Sequence, residues 1–169
     1  MRRAQGFTLI EVLVVVVIVG VMAGTVALSF TGADRERRLR TEADKLANLL
    51  EITRFQAVQR NEEWGVSIRG DGYTFARYEE QSGEWIDWEQ RPLKPVTLEN
   101  IRLEVTVDQQ VQLPGVFEES QLPDVVFFSS GESQSFAIRF EPEWESDPWL
   151  LESDGFQRVE AERLQLRRR

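Results

Sequence analysis

The feature that most restricts how this chain can fold is a single carboxylate inside a membrane-length apolar run. In the opening Gly6-Phe7-Thr8-Leu9-Ile10-Glu11-Val12, Glu11 is the one charged residue between Arg3 and Asp34. Residues 12–28 hold only apolar side chains, glycines and one threonine, and as a helix rising about 1.5 Å per residue they cover roughly 25 Å. Extending the helix to residues 7–30 reaches the roughly 30 Å of a bilayer's hydrocarbon core, but places Glu11 in lipid. A carboxylate at mid-membrane costs about 2.5–3.5 kcal/mol on insertion scales, and less towards a helix end. Glu11 therefore requires a partner.

A secretory signal or signal anchor would explain Met1-Arg2-Arg3 ahead of an apolar core, and Ala23 and Ala27 supply small residues for cleavage behind it. Two features oppose that reading. The core carries an acid, and the polar-to-apolar break falls at Gly6-Phe7, before the core. The acid decides between the two readings.

Gly6-Phe7-Thr8-Leu9-Ile10-Glu11 resembles the class III leader junction of type IV pilins and type II secretion pseudopilins. The resemblance implies cleavage between Gly6 and Phe7 by a prepilin peptidase, which removes residues 1–6 as a leader. It implies N-methylation of the new Phe7 amine, and retention of residues 7–30 as a transmembrane helix that later forms the filament core. Each role has a physical basis. Gly6 lets the backbone enter a tight protease cleft, and Glu11 can pair with the positive Phe7 amine of a neighbouring subunit, so that each buried charge relieves the other.

Composition bounds the remainder. Of 169 residues, those left after a leader and an anchor suffice for one domain with its own core and are too few for two. The formal net charge of −9 becomes about −11 once Arg2 and Arg3 leave with the leader, a balance that disfavours phosphate backbones and makes nucleic acid an unexpected partner. No cysteine is present, so disulfides and thiol chemistry are excluded. Many type IV pilins carry a cysteine pair near the C-terminus, and its absence points towards the secretion pseudopilins. Topology by basic residues is ambiguous, because Arg35, Arg37, Arg38 and Arg40 flank the far end of the apolar run. Long domains translocate with little regard to such charge, and the junction is the stronger indicator: N-terminus cytoplasmic, head periplasmic, one pass through the inner membrane.

Residues 31–62 read as an amphipathic continuation of the helix, with Leu39, Ala43, Leu46, Ala47, Leu50, Ala57 and Val58 near helical spacing. Gly20, Gly24 and Gly32 are its weak points, each costing about 1 kcal/mol relative to alanine. Gly20 and Gly24 also match the small-residue spacing that lets membrane helices approach closely. From Glu63 the period becomes that of strands: Trp64-Val66-Ile68, Tyr73-Phe75, Trp85 with Trp88, Ile101-Leu103-Val105-Val107, Val125 to Phe128 and Phe136-Ile138-Phe140. Gly70-Asp71-Gly72, Ser82-Gly83, Pro114-Gly115, Ser130-Gly131 and Asp154-Gly155 separate them. Val159 and Ala161 are out of phase with Leu164 and Leu166, which predicts a bulge or a change of face in a last strand. Residues 63–169 are thus expected to form an antiparallel β head, giving an α+β, pilin-like fold: a long helix whose second half packs on the sheet.

The stretch Val125-Val126-Phe127-Phe128-Ser129-Ser130-Gly131-Glu132, followed by Phe136-Ala137-Ile138-Arg139-Phe140, resembles the late hairpin of the H-class minor pseudopilins, the GspH family. Length agrees, since G- and I-class heads are typically smaller and the K class larger. K-class subunits characteristically lack the acid that Glu11 supplies here.

Candidate chemistry in the head is thin. With no histidine, imidazole-dependent triads and His-ligated zinc are excluded. Lys45 sits in the amphipathic helix and Lys94 between prolines, poor places for a Ser-Lys dyad. Glu141, Glu143, Glu145, Asp147 and Asp154 could suggest a calcium loop, but they lack a ligand spacing, and Pro142 and Pro148 bracket what reads as a solvated acidic loop. No metal or cofactor is expected. Arg69-Gly70-Asp71 resembles an adhesion tripeptide but is explained by a turn between strands. Of the five tryptophans, Trp64 and one of Trp85 and Trp88 read as core, whereas Trp144 and Trp149 lie in the acidic loop as candidate anchors for another subunit.

The resemblance implies a structural subunit with no enzymatic activity. It would be a minor pseudopilin near the tip of the type II secretion pseudopilus, helping to initiate or cap it for export of folded periplasmic proteins. Implied partners are the minor pseudopilins of the I, J and K classes, the G-class major pseudopilin, the prepilin peptidase and the inner-membrane assembly platform; whether the head also meets secreted cargo is left open by the sequence. A minor pilin of a type IV pilus and a pilin-like substrate-binding module remain open alternatives; a membrane-anchored enzyme is disfavoured by the missing His and Cys. Mass spectrometry of the membrane-extracted protein separates the readings of the opening: we expect a mature chain starting at N-methylated Phe7, and a start after Ala23 or Ala27 would refute pilin-type processing.

Overall fold

The computed structural model describes residues 9–108 and 122–164, with the backbone alone for residues 23–31. The chain divides into an amino-terminal unit, residues 1–38, and a carboxy-terminal unit, residues 39–169. Helix α1 is assigned to Leu9–Arg60. In the first unit the described apolar side chains of residues 9–22 are exposed, and Arg37 and Asp34 form an exposed i,i+3 ion pair. Among the described residues no helix is long and apolar enough to cross a membrane. Part of the apolar run read from the sequence, Phe7, Thr8 and the side chains of residues 23–30, lies outside the described set.

In the second unit, Leu39, Ala43, Leu46, Leu50, Thr53 and Ala57 are buried. Their alternating steps of four and three residues keep them in one stripe along the helix. Thr53 fits in an apolar seam because its hydroxyl donates to the Leu49 carbonyl at 2.8 Å, which satisfies it within the helix. Val58, expected on the buried stripe, is 50% exposed: one step past Ala57 turns it about 100° away from the seam. The helix stops at Asn61, whose φ of 55° is the left-handed conformation that asparagine tolerates better than most residues.

After the helix come β1 (Trp64–Arg69), β2 (Gly72–Glu79), β3 (Glu84–Trp88), β4 (Val96–Thr97), β5 (Ile101–Val107), β6 (Val125–Phe127), β7 (Phe136–Pro142), β8 (Trp149–Ser153) and β9 (Glu160–Arg163). One sheet runs β3-β2-β1-β6 with β4 also paired to β2, and the other runs β5-β7-β8-β9. All described pairings are antiparallel. Strand alternation puts one face of each sheet inside. In the first, Val66 lies opposite both Phe75 and Val125. In the second, Phe140 lies opposite Leu103 and Trp149, and Ile138 opposite Val105 and Leu151. The two inner faces and the helix seam share one apolar cluster.

Four sequence expectations change. β6 and β7 are not hairpin partners: after Phe127 the chain makes a turn and one isolated bridge, Phe127 to Ser133, and then crosses to the other sheet. The acidic loop ends earlier than read, because Trp149 opens β8, whose buried Trp149, Leu151 and Ser153 alternate with Leu150 and Glu152. β4 was not foreseen, being only two residues long. The predicted bulge is absent from the described pairs of β9, which run in regular register from Glu152–Glu160 to Trp149–Arg163; Val159 is buried just ahead of the strand, and Leu166 lies outside the described residues.

Tyr73 is the one tyrosine in the described core, and its buried hydroxyl has no hydrogen-bond partner among the described residues. Burial, followed by the neighbouring Glu42 carboxylate, raises its pKa well above the ordinary tyrosine range. Between about pH 10, where the unfolded phenol ionises, and the raised native value, the unfolded state binds fewer protons. Stability then falls by about 1.4 kcal/mol per pH unit as pH rises. We expect Tyr73→Phe to remove this alkaline decline in thermal midpoint while leaving neutral-pH stability unchanged, or raised by about 1 kcal/mol; a variant with the parent's alkaline profile would refute it. On the helix, Leu50→Ala is expected to cost about 2–5 kcal/mol and Val58→Ala under about 0.5 kcal/mol, measured by unfolding of the detergent-extracted protein.

Candidate functional site

The residues expected to carry assembly are distributed unevenly over the described structure. Gly6 and Phe7 lie outside it, and so does the expected ion pair between Phe7 and Glu11. Glu11 belongs to α1, with its side chain exposed. Gly20 is exposed, and a Cβ built there would meet nothing within 4 Å. Gly24 is helical and belongs to the stretch described by backbone alone.

The two tryptophans read as exposed anchors are corrected. Trp149 is 9% exposed and belongs to the core, because β8 alternation turns it inward opposite Phe140. The guanidinium of Arg40 lies over its ring at 5.9 Å from the centroid. Trp144 is half-buried and packs against the same apolar cluster, so its ring is committed largely to its own head. Two members of the acidic series make local ion pairs: Glu141 meets Arg139 at 3.1 Å and Asp147 meets Arg163 at 3.1 Å. Among the described residues no carboxylate group has the arrangement to hold a metal. Lys45 pairs with Glu42 at 3.2 Å, and Gly70 takes a φ of 52° in the turn between β1 and β2.

Sequence reasoning missed the most elaborately built constellation of the head, where the α1 row Asn48, Glu51 and Arg54 holds the connection between β8 and β9. Steps of three place these residues on one helix face. Arg54 donates to the carbonyls of Phe156 at 3.2 Å and Gln157 at 2.9 Å, and its guanidinium lies 5.7 Å from the Phe127 ring centroid. Glu51 accepts the Val159 N–H at 2.9 Å and lies 3.8 Å from Arg54, while Asn48 accepts from Arg158 at 3.4 Å. Within the loop, Asp154 accepts the N–H groups of Phe156 and Gln157 at 2.9 and 2.8 Å, which lowers its pKa. Gly155 has a φ of 95° and donates to the Ser153 hydroxyl at 3.1 Å. The ring of Phe156 is left outward, 70% exposed. The one signal for this loop was Asp154-Gly155; its partners on the helix lie about a hundred residues away and leave no local trace.

An amino-terminal match of residues 1–27 to the Prokaryotic N-terminal methylation motif, together with an amphipathic helix packed on antiparallel sheets, defines the class as pilin-like. Residues 42–158 match the family Type II transport protein GspH, and the chain belongs to that family: it is a structural subunit of the type II secretion pseudopilus and associates with other pseudopilus components. It is 35% identical to Type II secretion system protein H of Pseudomonas aeruginosa, over 96% of this chain and 99% of that one. It is 25% identical to the protein of the same name from Aeromonas hydrophila, over 94% and 93% of the two chains. In fold it is similar to the minor pseudopilin EpsH of Vibrio cholerae, with a TM-score of 0.56 at 17% identity, covering 75% of this chain and 95% of that one. The solution structure of E. coli GspH aligns with a TM-score of 0.57 at 15% identity, covering 75% and 89%.

Proposed function

We propose that this chain is a minor pseudopilin that is inserted once in the inner membrane, cleaved between Gly6 and Phe7, N-methylated at Phe7, and then drawn into the pseudopilus near its tip, where it helps initiate or cap the filament. Residues 1–6 act as the leader, 7–30 as the anchor and later filament core, 31–62 as the amphipathic helix on the head, and 63–169 as the periplasmic head. The observation that carries this reading is the Gly6-Phe7 junction with its acid at Glu11, inside a methylation motif that spans residues 1–27. Its work is assembly without catalysis: no bond is made or broken by the head. The partners are the minor pseudopilins of the I, J and K classes, the G-class major pseudopilin, the prepilin peptidase and the inner-membrane assembly platform. Gly20 and Gly24 allow close approach of a neighbouring helix.

Glu11 supplies the mechanism. In the membrane its carboxylate is a cost, and a filament relieves that cost when the charged Phe7 amine of a second subunit docks against it. Removal of one partner from such a buried pair costs about 3–5 kcal/mol, because the other charge is left uncompensated. We expect Glu11→Val to insert and be processed like the parent but to lose most of its incorporation into the pseudopilus, measured by cross-linking to other pseudopilins and by secretion. Incorporation and secretion equal to the parent's would refute the ion-pair step.

A further inference from the structure

We propose that Phe55, Val58 and Phe156, with Arg158 at their edge, form the surface through which this head contacts the head of a different membrane-anchored pseudopilus subunit. In the carboxy-terminal unit the described large hydrophobic side chains that stand exposed are Phe55, Val58, Ile86 and Phe156. All but Ile86 belong to one neighbourhood. Phe55 and Val58 are three residues apart on α1 and share a face. A Cβ on Gly131 would lie 3.2 Å from the Val58 side chain, and the turn containing Gly131 is tied to the Phe156 loop by the Ser133 N–H to Gly155 carbonyl bond at 3.0 Å. Arg54, next to Phe55, holds the Phe156 carbonyl. The Phe156 ring is thus displayed on a loop whose conformation is already fixed, which lowers the ordering cost of binding.

Charge and area define the occupant. Arg158 makes no ion pair among the described residues and has only a long bond to Asn48, so a guanidinium open to an outside carboxylate stands at the edge of the patch. An apolar surface carrying a carboxylate fits the site. Two copies meeting patch to patch fit it less well, because the carboxylates beside the patch, Glu51 and Asp154, already accept backbone N–H groups of their own loop. Three side chains fall well short of the roughly 800 Å² per partner that holds free proteins together. A contact this small suffices when both partners are anchored in one membrane, where the effective concentration reaches about millimolar.

This inference rests on the assembly role proposed above and is tested separately from it. The chain has no cysteine, so Phe55→Cys and Phe156→Cys each give the full-length protein a unique thiol for a photoreactive maleimide in membranes, with Ile86→Cys as control and protease resistance of the head as the check on folding. We expect adducts with a different pseudopilin from Cys at 55 and 156 and not from Cys at 86. Adding Arg158→Glu should lower their yield about tenfold, in line with an interface contact of 1.4 kcal/mol. Adducts only with a second copy, with secreted cargo, or with residues 109–121 of the same chain, equal labelling from position 86, or no adduct at all would each overturn the proposal. Parent-like assembly of Glu11→Val would refute the ion-pair step without altering how the adducts are read.

Discussion

Burial of the α1 seam is the constraint on which the head depends. A helix that presents Leu39, Ala43, Leu46, Leu50, Thr53 and Ala57 in one stripe gains little stability alone; most of a helix's stability in a protein comes from packing that stripe. Fully burying a leucine is worth about 1.5–3 kcal/mol, and Leu39, Leu46 and Leu50 are completely buried. Each sheet is likewise apolar on one face only. Neither inner face is complete without the helix, and all three contribute to one cluster. Arginines border the seam and cover what the leucines leave open: Arg60 lies over Trp64 at 5.6 Å and Trp88 at 5.2 Å, and Arg40 over Trp149. Their stems bury apolar surface while their charges remain near water.

Elements with a strong local period were legible in the sequence. Helical spacing from Leu39 to Ala57 and the alternation of Ile101-Leu103 and Phe136-Ile138-Phe140 are properties of neighbouring residues, and the fold follows them. β8 was hidden because its apolar residues, Trp149, Leu150 and Leu151, stand next to Pro148 in an acidic context. Pairing with β7 supplied what local propensity did not. Val58 shows the opposite error, where a residue of the right type near the right spacing fell just off the seam. The β6–β7 hairpin failed because sequential strands need not pair, and the ends of β6 find other partners.

Side-chain bonds to strand backbone were beyond any sequence reading. Asp124 accepts the Ile68 N–H at 2.6 Å, and Gln134 accepts the Val126 N–H at 2.7 Å. Both satisfy strand donors where the short β6 leaves the ladder incomplete, and unsatisfied buried donors are costly. The same economy governs Asn48, Glu51 and Arg54, whose polar groups complete the loop between β8 and β9. Their types are ordinary for an exposed helix face, and their role exists only once the loop has arrived.

The expectation at the amino terminus rests on a signal of the kind that the head constellation lacks. A carboxylate in an apolar run is anomalous on its own terms, whatever it later meets, because its cost is set by the surrounding residues. Reading Glu11 therefore required no knowledge of the fold, only of the medium. The head divides its charges differently. Glu42, Glu51, Glu79, Glu141 and Asp147 each find an arginine, a lysine or a backbone N–H of the same chain, so these charges stabilise the head. Among the described residues of the carboxy-terminal unit only a small apolar surface is left exposed. Few exposed apolar side chains mean little area to bury between two free heads. On the assembly reading proposed above, contact between heads would therefore follow the meeting of their helices.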